Sequence, residues 1–295
     1  MTHPPSRRAR LLGELEHELN SLRGLEFGPL TKPIVSAVEA QISYVDYLSG
    51  DGLREKYRVD PNVDTTKIVD VDVILEGGRL PASALNGSFD YAVASHVLEH
   101  LPDPIGWLQQ CSAALKPGGM LCLALPDKRY TWDILRRETE LWEWVEGYLT
   151  RQVQPSPGAV FAATSQTALM PVGTPWQREP TTEELQPERD LRAALELAQS
   201  AVDAHVDVHC SIFAPARFLR LLSDVHDLGL CSFELAYFED TRRDEIEFLV
   251  RLRNRPDVDH HHASRALLDA AETTGGASRR GVRRPAAWPF PGRRR

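Results

Sequence analysis

Between Ser95 and Asp103 the chain reads SHVLEHLPD, and Ser95, His96, Glu99, His100 and Asp103 can all donate, accept or exchange a proton. An unperturbed imidazole titrates at ~6.5, so small changes of environment set whether either histidine is charged. His96 to His100 also spells H-x-x-E-H, the inverted zinc-protease signature. That chemistry needs the motif on a helix with a third ligand further along. Pro102 and Pro104 break a helix here at once, so no metal is expected. A second set is acidic: Glu26, Asp46 and Asp72 fall at or near the ends of three successive apolar stretches. A carboxylate at the end of a second strand can accept both hydroxyls of a ribose, and Gly28 permits close approach of backbone to a ligand. A nucleoside site is the expectation. A third set follows a later apolar run: Asp127, Lys128, Arg129 and Tyr130, where the Lys-Arg pair suits an anionic acceptor. His205 and His209 share one side of an extended segment and can line the same crevice.

The elements that hold these residues are read from periodicity. Phe89–Ser95 is a short apolar strand. Leu108, Cys111 and Leu115 recur at helical spacing, Pro117-Gly118-Gly119 stops that helix, and Met120–Leu125 is apolar again. This is a βαβ unit, right-handed on general grounds. Before it, Leu11 to Leu22 gives one apolar helix face, Leu25–Phe27 and Ile42–Asp46 are strands, and Lys67–Leu75 is a third. After it comes a helix beginning near Leu141, a long Pro- and Gly-containing loop over 153–180, and helical pattern from Thr182. An extended Val206–Phe213, a helix from Pro215 and two strands, Ser232–Phe238 and Glu245–Leu252, joined by a charged turn complete the order. The fold class is α/β, a Rossmann-like, mostly parallel sheet with a terminal antiparallel strand and a helical insertion. Residues 1–22 are an N-terminal extension and helix, its first ten residues disordered. Residues 23–133 are the core, 134–213 a helical insertion or lid, 214–253 the closing helix and strands, and 254–295 a disordered basic tail.

Charge and composition exclude several classes. Seven arginines and no acid lie in residues 279–295, so residues 1–278 carry −15 against a net charge of −8. An acidic body of this kind argues against nucleic acid as a partner. No apolar run approaches the ~20 residues of a membrane span, and MTHPPSRRAR lacks the apolar stretch of a secretory signal. The four cysteines form no C-x-x-C pair, as expected of free thiols in a reducing cytoplasm.

FDYAVASHVLEHLPDP followed by LKPGGMLCLALP resembles the later half of a class I S-adenosylmethionine-dependent methyltransferase, in the branch that methylates small molecules and saccharides. YVDYL is similar to that family's ribose-binding motif, and GLEFGPLTKPI to its first motif, ordinarily an acid followed by GxGxG. Here only Gly28 of the three glycines is present, and Pro29 removes one backbone donor. The resemblance implies S-adenosylmethionine as cofactor, with Glu26 and Gly28 near its methionine part, Asp46 at the ribose, and Asp72 and Val73 at the adenine. Ser95 and His96 would border the sulfonium and the acceptor pocket. His100 would be a base for a hydroxyl or amine, or would orient its loop. Lys128, Arg129, Tyr130 and His209 would meet the small-molecule acceptor. The expected function is methyl transfer to a small molecule such as a sugar or glycoconjugate. The alternative is a catalytically silent methyltransferase-like binding or scaffold subunit. The resemblance also allows a partner enzyme of sugar transfer.

Overall fold

The computed structural model describes residues 5–202 and 204–274. Seven strands form one sheet: β1 Arg23–Phe27, β2 Gln41–Asp46, β3 Val73–Ile74, β4 Phe89–Ser95, β5 Leu115–Pro126, β6 Phe233–Glu239 and β7 Glu247–Asn254. Their order is β3-β2-β1-β4-β5-β7-β6, and β7 runs antiparallel to both β5 and β6. Chain order reverses between β1 and β4, so the loops after these two strands diverge and leave a crevice at the carboxyl edge of the sheet. The helices are α1 Arg7–Leu12, α2 Gly50–Lys56, α3 Pro104–Ala114, α4 Leu141–Thr150, α5 Pro157–Gln166, α6 Thr174–Gln177, α7 Leu191–Ser200, α8 Pro215–Asp227 and α9 His260–Thr273. No helix among the described residues is long and apolar enough to cross a membrane.

The central strands are apolar throughout because both faces are covered. Ala92, Ala94, Leu121, Leu123 and Leu125 point to the larger core under α3, α4 and α8. Tyr91, Val93, Cys122 and Ala124 alternate to the opposite face, where Leu11 and Leu12 of α1 pack. In the larger core Phe218 is fully buried, with ring centroids 5.3 Å from Phe213, 5.8 Å from Phe248 and 6.5 Å from Trp144. Trp144 and Phe213 thereby anchor both ends of the 134–213 segment in the main core.

Several sequence expectations change. The strand over Lys67–Leu75 contracts to Val73–Ile74. Asp64 caps a 3-10 turn at Thr65–Lys67, and the carboxylate of Asp72 accepts the Tyr44 amide at 2.8 Å in place of a ladder carbonyl. Residues 6–12 are ordered: Ser6 caps α1, and Arg7 and Arg10 pair with acids from the far end of the chain. The apolar face to Leu22 continues only as 3-10 turns, because Gly13 at φ +61° ends α1. The loop over 153–180 contains α5, with Ser156 as N-cap and Pro157 in the first turn, and α6. The helix expected from Thr182 starts later, at Leu191 behind the Asp190 cap, and Val206–Phe213 runs outside the sheet. The segment after Asn254 is not a featureless tail. Asp259 caps α9, which packs Ala263, Leu267 and Ala271 inward at helical spacing. The Arg-rich stretch lies outside the described residues.

Removing the Phe218 ring leaves a cavity bounded by three aromatic side chains. Phe218→Ala should cost about 3–5 kcal/mol, seen as a lower urea midpoint with an unchanged slope; a change under about 1 kcal/mol would show that this cluster does not hold the core together.

Candidate functional site

The loop after β1 is closed by its own acid. Glu26 is buried, and its two carboxylate oxygens accept the amides of Ile34 at 2.6 Å and Val35 at 3.0 Å. Burial raises its pKa to about 7 against the lowering effect of those donors. Gly28 stands at φ +60°, where a Cβ would sit 3.1 Å from Val97 Cγ2, so the turn out of β1 requires glycine. At the end of β2, Asp46 is almost completely buried. One of its oxygens accepts the Tyr47 amide at 2.7 Å, and burial raises its pKa. Gly28, Asp46, Leu53, Tyr57, His96 and His100 are among the walls of a cavity of about 660 Å³ at this edge. Glu26, Asp72, Val73 and Ser95 do not line that cavity, and its flank near β3 is made instead by Leu75, Gly77, Gly78 and Arg79.

The loop after β4 separates its two histidines. His96 sits at φ +55°, and its Nε2 meets Glu247 Oε2 at 2.7 Å. Glu247 opens β7, and antiparallel pairing with β5 sets it opposite Pro126, at the carboxyl edge. Arg7 engages both oxygens of Glu247, at 2.5 and 2.7 Å, and donates to Ser95 Oγ at 2.7 Å. Burial would raise the Glu247 pKa, but the bonds from Arg7 and His96 overcome this and hold it at about 2. Burial lowers the His96 pKa, yet Glu247 and Glu99 bring it up to about 9. His96 is therefore an imidazolium at neutral pH and does not accept a proton there. Ser95 is likewise engaged with Arg7.

Residues Leu98–His100 form a single 3-10 turn, cut short as Pro102 leads into the Asp103 cap of α3. His100 Nδ1 contacts Asp207 Oδ1 at 2.8 Å; burial lowers the His100 pKa, and Asp207 more than reverses this. The His209 ring lies edge-on to His100, centroids 4.6 Å apart, and its Nδ1 contacts Asp133 Oδ2 at 2.6 Å. The carbonyl of Glu99 accepts the amides of Cys210 and Ser211, stitching the 205–213 segment to this loop.

The residues after β5 differ from expectation. Arg129 forms a forked pair with Asp127 and reaches Asp240 at 3.1 Å. Lys128 donates to the Ile134 carbonyl, and Tyr130 stacks on Trp176 at 4.0 Å. The Lys-Arg pair is spent on the protein itself, so it does not present free charge to an anionic acceptor. Glu247, Arg7, Asp133 and Asp207 were not singled out from the sequence. Only Glu247 left a signal, because the first residue of a strand antiparallel to β5 must lie beside the carboxyl end of β5.

A family profile described as methyltransferase domain matches residues 6–223, well over half of the chain. A ubiquinone biosynthesis O-methyltransferase of Xanthomonas campestris pv. campestris is 39% identical over 56 residues, which are 19% of this chain and 23% of that protein. The chain thus matches about a quarter of that relative's length. Among solved structures, an S-adenosylmethionine-dependent methyltransferase of Methanosarcina mazei superposes with a TM-score of 0.41 at 16% identity, over 82% of this chain and 97% of that one. One from Mesorhizobium loti gives 0.41 at 14%, over 80% and 93%.

The depressed Glu247 pKa has a definite pH signature. A carboxylate held at about 2, against an ordinary 4.5, adds stability that is complete above about pH 4.5 and is lost as the pH falls toward 2. The contribution is roughly 3 kcal/mol. The melting-temperature gap between the native chain and Glu247→Gln should be widest above pH 5 and narrow steadily on acidification. A gap that does not change with pH would remove this role from Glu247.

Proposed function

This chain belongs to the class I S-adenosylmethionine-dependent methyltransferases, and from that membership we propose that it transfers a methyl group to a hydroxyl-bearing small molecule, a sugar or glycoconjugate. The carrying observation is Asp46, a buried carboxylate at the wall of the cavity whose protein donors are backbone amides at the start of the next loop. The remaining acceptor capacity of such a group matches the paired hydroxyls of a ribose. Gly28 beside it brings bare backbone to the same cavity. These residues fit the cofactor: Asp46 would hold its ribose, and Gly28 would leave room for the chain beyond it. When bound, S-adenosylmethionine supplies a methyl group activated by a sulfonium. Volume supports the reading too, since about 660 Å³ lies within the usual ~300–1,000 Å³ of ligand pockets.

The acceptor class rests on the polar side chains that the insertion adds to the cavity. Gln152, Gln154, His205 and Asp207 bring amide, imidazole and carboxylate groups to the cavity, a set suited to several hydroxyls. Residues 134–213, which supply these side chains, are the part of the chain that would select the acceptor. Holding the acceptor in line with the methyl group provides much of the rate by itself. Of the two loop histidines, His96 carries a proton fixed by Glu247, and it adds positive charge rather than a base. His100 keeps Nε2 as its open nitrogen once Asp207 holds Nδ1.

Two measurements test this reading. Asp46→Ala should weaken S-adenosylmethionine binding by about 1–3 kcal/mol in calorimetry; unchanged affinity would overturn the ribose assignment, and no heat with the native chain at millimolar cofactor would overturn the enzyme reading itself. His100→Ala should lower turnover about 10²-fold while cofactor affinity stays within about twofold. Loss of cofactor affinity in step with turnover would assign His100 to the cofactor side instead.

A further inference from the structure

Glu99 has no exposed surface, and neither carboxylate oxygen has a hydrogen-bond partner among the described residues. His96 Nδ1 lies 3.5 Å from Oε1, close enough to attract without a hydrogen bond, and that imidazole already gives Nε2 to Glu247. The cation beside Glu99 is thus shared with Glu247, and a buried carboxylate that receives no hydrogen bond stays unfavourable unless a further cation or donor meets it. Besides His96, two further imidazoles stand close to Glu99. One ligand atom from each of Glu99, His100 and His209 lies within 4.8 Å of the other two. Both rings are fixed from behind in the same manner: Asp207 takes His100 Nδ1 at 2.8 Å, and Asp133 takes His209 Nδ1 at 2.6 Å, with Arg136 holding Asp133 at 3.0 Å. A carboxylate on Nδ1 selects the tautomer whose Nε2 carries a lone pair, the arrangement that orients metal-ligating histidines.

We propose that Glu99, His100 and His209 bind a divalent transition-metal cation. Two imidazoles and one carboxylate suit zinc, cobalt, manganese or ferrous iron better than magnesium or calcium, which prefer oxygen throughout. Ligand atoms about 2.1 Å from a common ion stand roughly 3.4 Å apart, so modest side-chain rotation closes the set. The backbone is already fixed, since Cys210 and Ser211 bond the Glu99 carbonyl and lock the two ligand-bearing segments together. Three protein ligands leave further positions open. His100 and Asp207 also line the large cavity, so those positions adjoin the space assigned to the acceptor. The cation would hold an acceptor oxygen there. Its binding stands on the trio alone, and only its placing of an acceptor rests on the methyl-transfer reading. The H-x-x-E-H pattern thus contributes its last two residues to the site, while Glu247 draws the first away.

The test is titration of metal-free full chain with Co²⁺, read by visible absorption, and with Zn²⁺, read by calorimetry. One ion per chain is expected, with affinity lowered at least about tenfold by Glu99→Gln and by His209→Ala. Should His209→Ala fail to fold, Glu99→Gln, which keeps the side-chain shape, decides. The rival imidazole pair, His226 and His260, whose Nδ1 atoms are 3.3 Å apart, is controlled by His260→Ala, which should leave binding unchanged. Absence of one-to-one binding, or binding abolished by His260→Ala and indifferent to Glu99→Gln, would overturn the site. S-adenosylmethionine calorimetry in chelator, run in parallel, separates the two proposals. Cofactor binding without metal binding overturns the site alone, and metal binding without cofactor binding overturns the methyl-transfer reading alone.

Discussion

Glu247 keeps its charge inside the protein because Arg7 meets both of its oxygens while His96 meets one. Those three residues come from the first helix, the last strand and the end of β4; Glu247 is buried, while Arg7 and His96 are each about a third exposed. Removing either partner leaves the buried Glu247 charge less compensated, whereas Arg7 and His96 can turn to water, and the intact set adds little net stability over an apolar packing of the same shape. The value of the arrangement is therefore positional. It seats α1 against β5 and β7, holds the chain after β4 at the left-handed His96, and decides in which direction the following turn leaves the sheet.

That direction has a chemical consequence. Because His96 turns toward Glu247, the residues after it present Glu99 inward and His100 toward the cavity. Two histidines four positions apart are both raised in pKa by facing carboxylates, but with different partners. His96 has its Nε2 on one carboxylate and a second close to Nδ1, and is held cationic. His100 has a carboxylate at Nδ1 only, so its other nitrogen stays open. The difference arises from what faces each ring, since the residue type is the same.

The parts of this layout that sequence discloses are the local ones. Strands β1, β2, β4 and β5 and the final antiparallel pair are apolar runs ended by turn residues, and α3 opens at its Asp103 cap, although it ends at Ala114 and the Gly-Gly pair expected to stop it lies within β5. Each is decided within about a dozen residues. Asp46 and Gly28 were legible for the same reason, since strand ends in an open sheet are where ligands bind. What was hidden depends on distant partners. Arg7 lies 240 positions from Glu247, and His100 lies 107 from Asp207. An Arg in a Pro-rich N-terminus looks solvated until its acid is known, and Arg129 looks available until Asp127 and Asp240 are seen to take it. The helix α9 was missed for another reason: three consecutive histidines at its start obscure an apolar stripe carried by Ala263, Leu267 and Ala271.

The loop after β1 shows how a departure from a family pattern can be structurally coherent. In a glycine-rich version, successive backbone amides would be turned toward the ligand. Here Pro29 supplies no amide, and the amides of Ile34 and Val35 are turned back to Glu26. The donors of this loop are thus consumed in closing it, and the acid that would ordinarily stand free becomes its clasp. On the proposed reading, recognition at this edge falls to side chains that line the cavity: Asp46 from β2, and residues 152–154 and 205–207. Under that proposal, a cavity whose specificity lies in side chains of the insertion, rather than in a shared backbone cradle, can change its acceptor by substitution without disturbing the sheet. The clasp at Glu26 and the three-way contact at Glu247 hold that sheet edge steady while it does so.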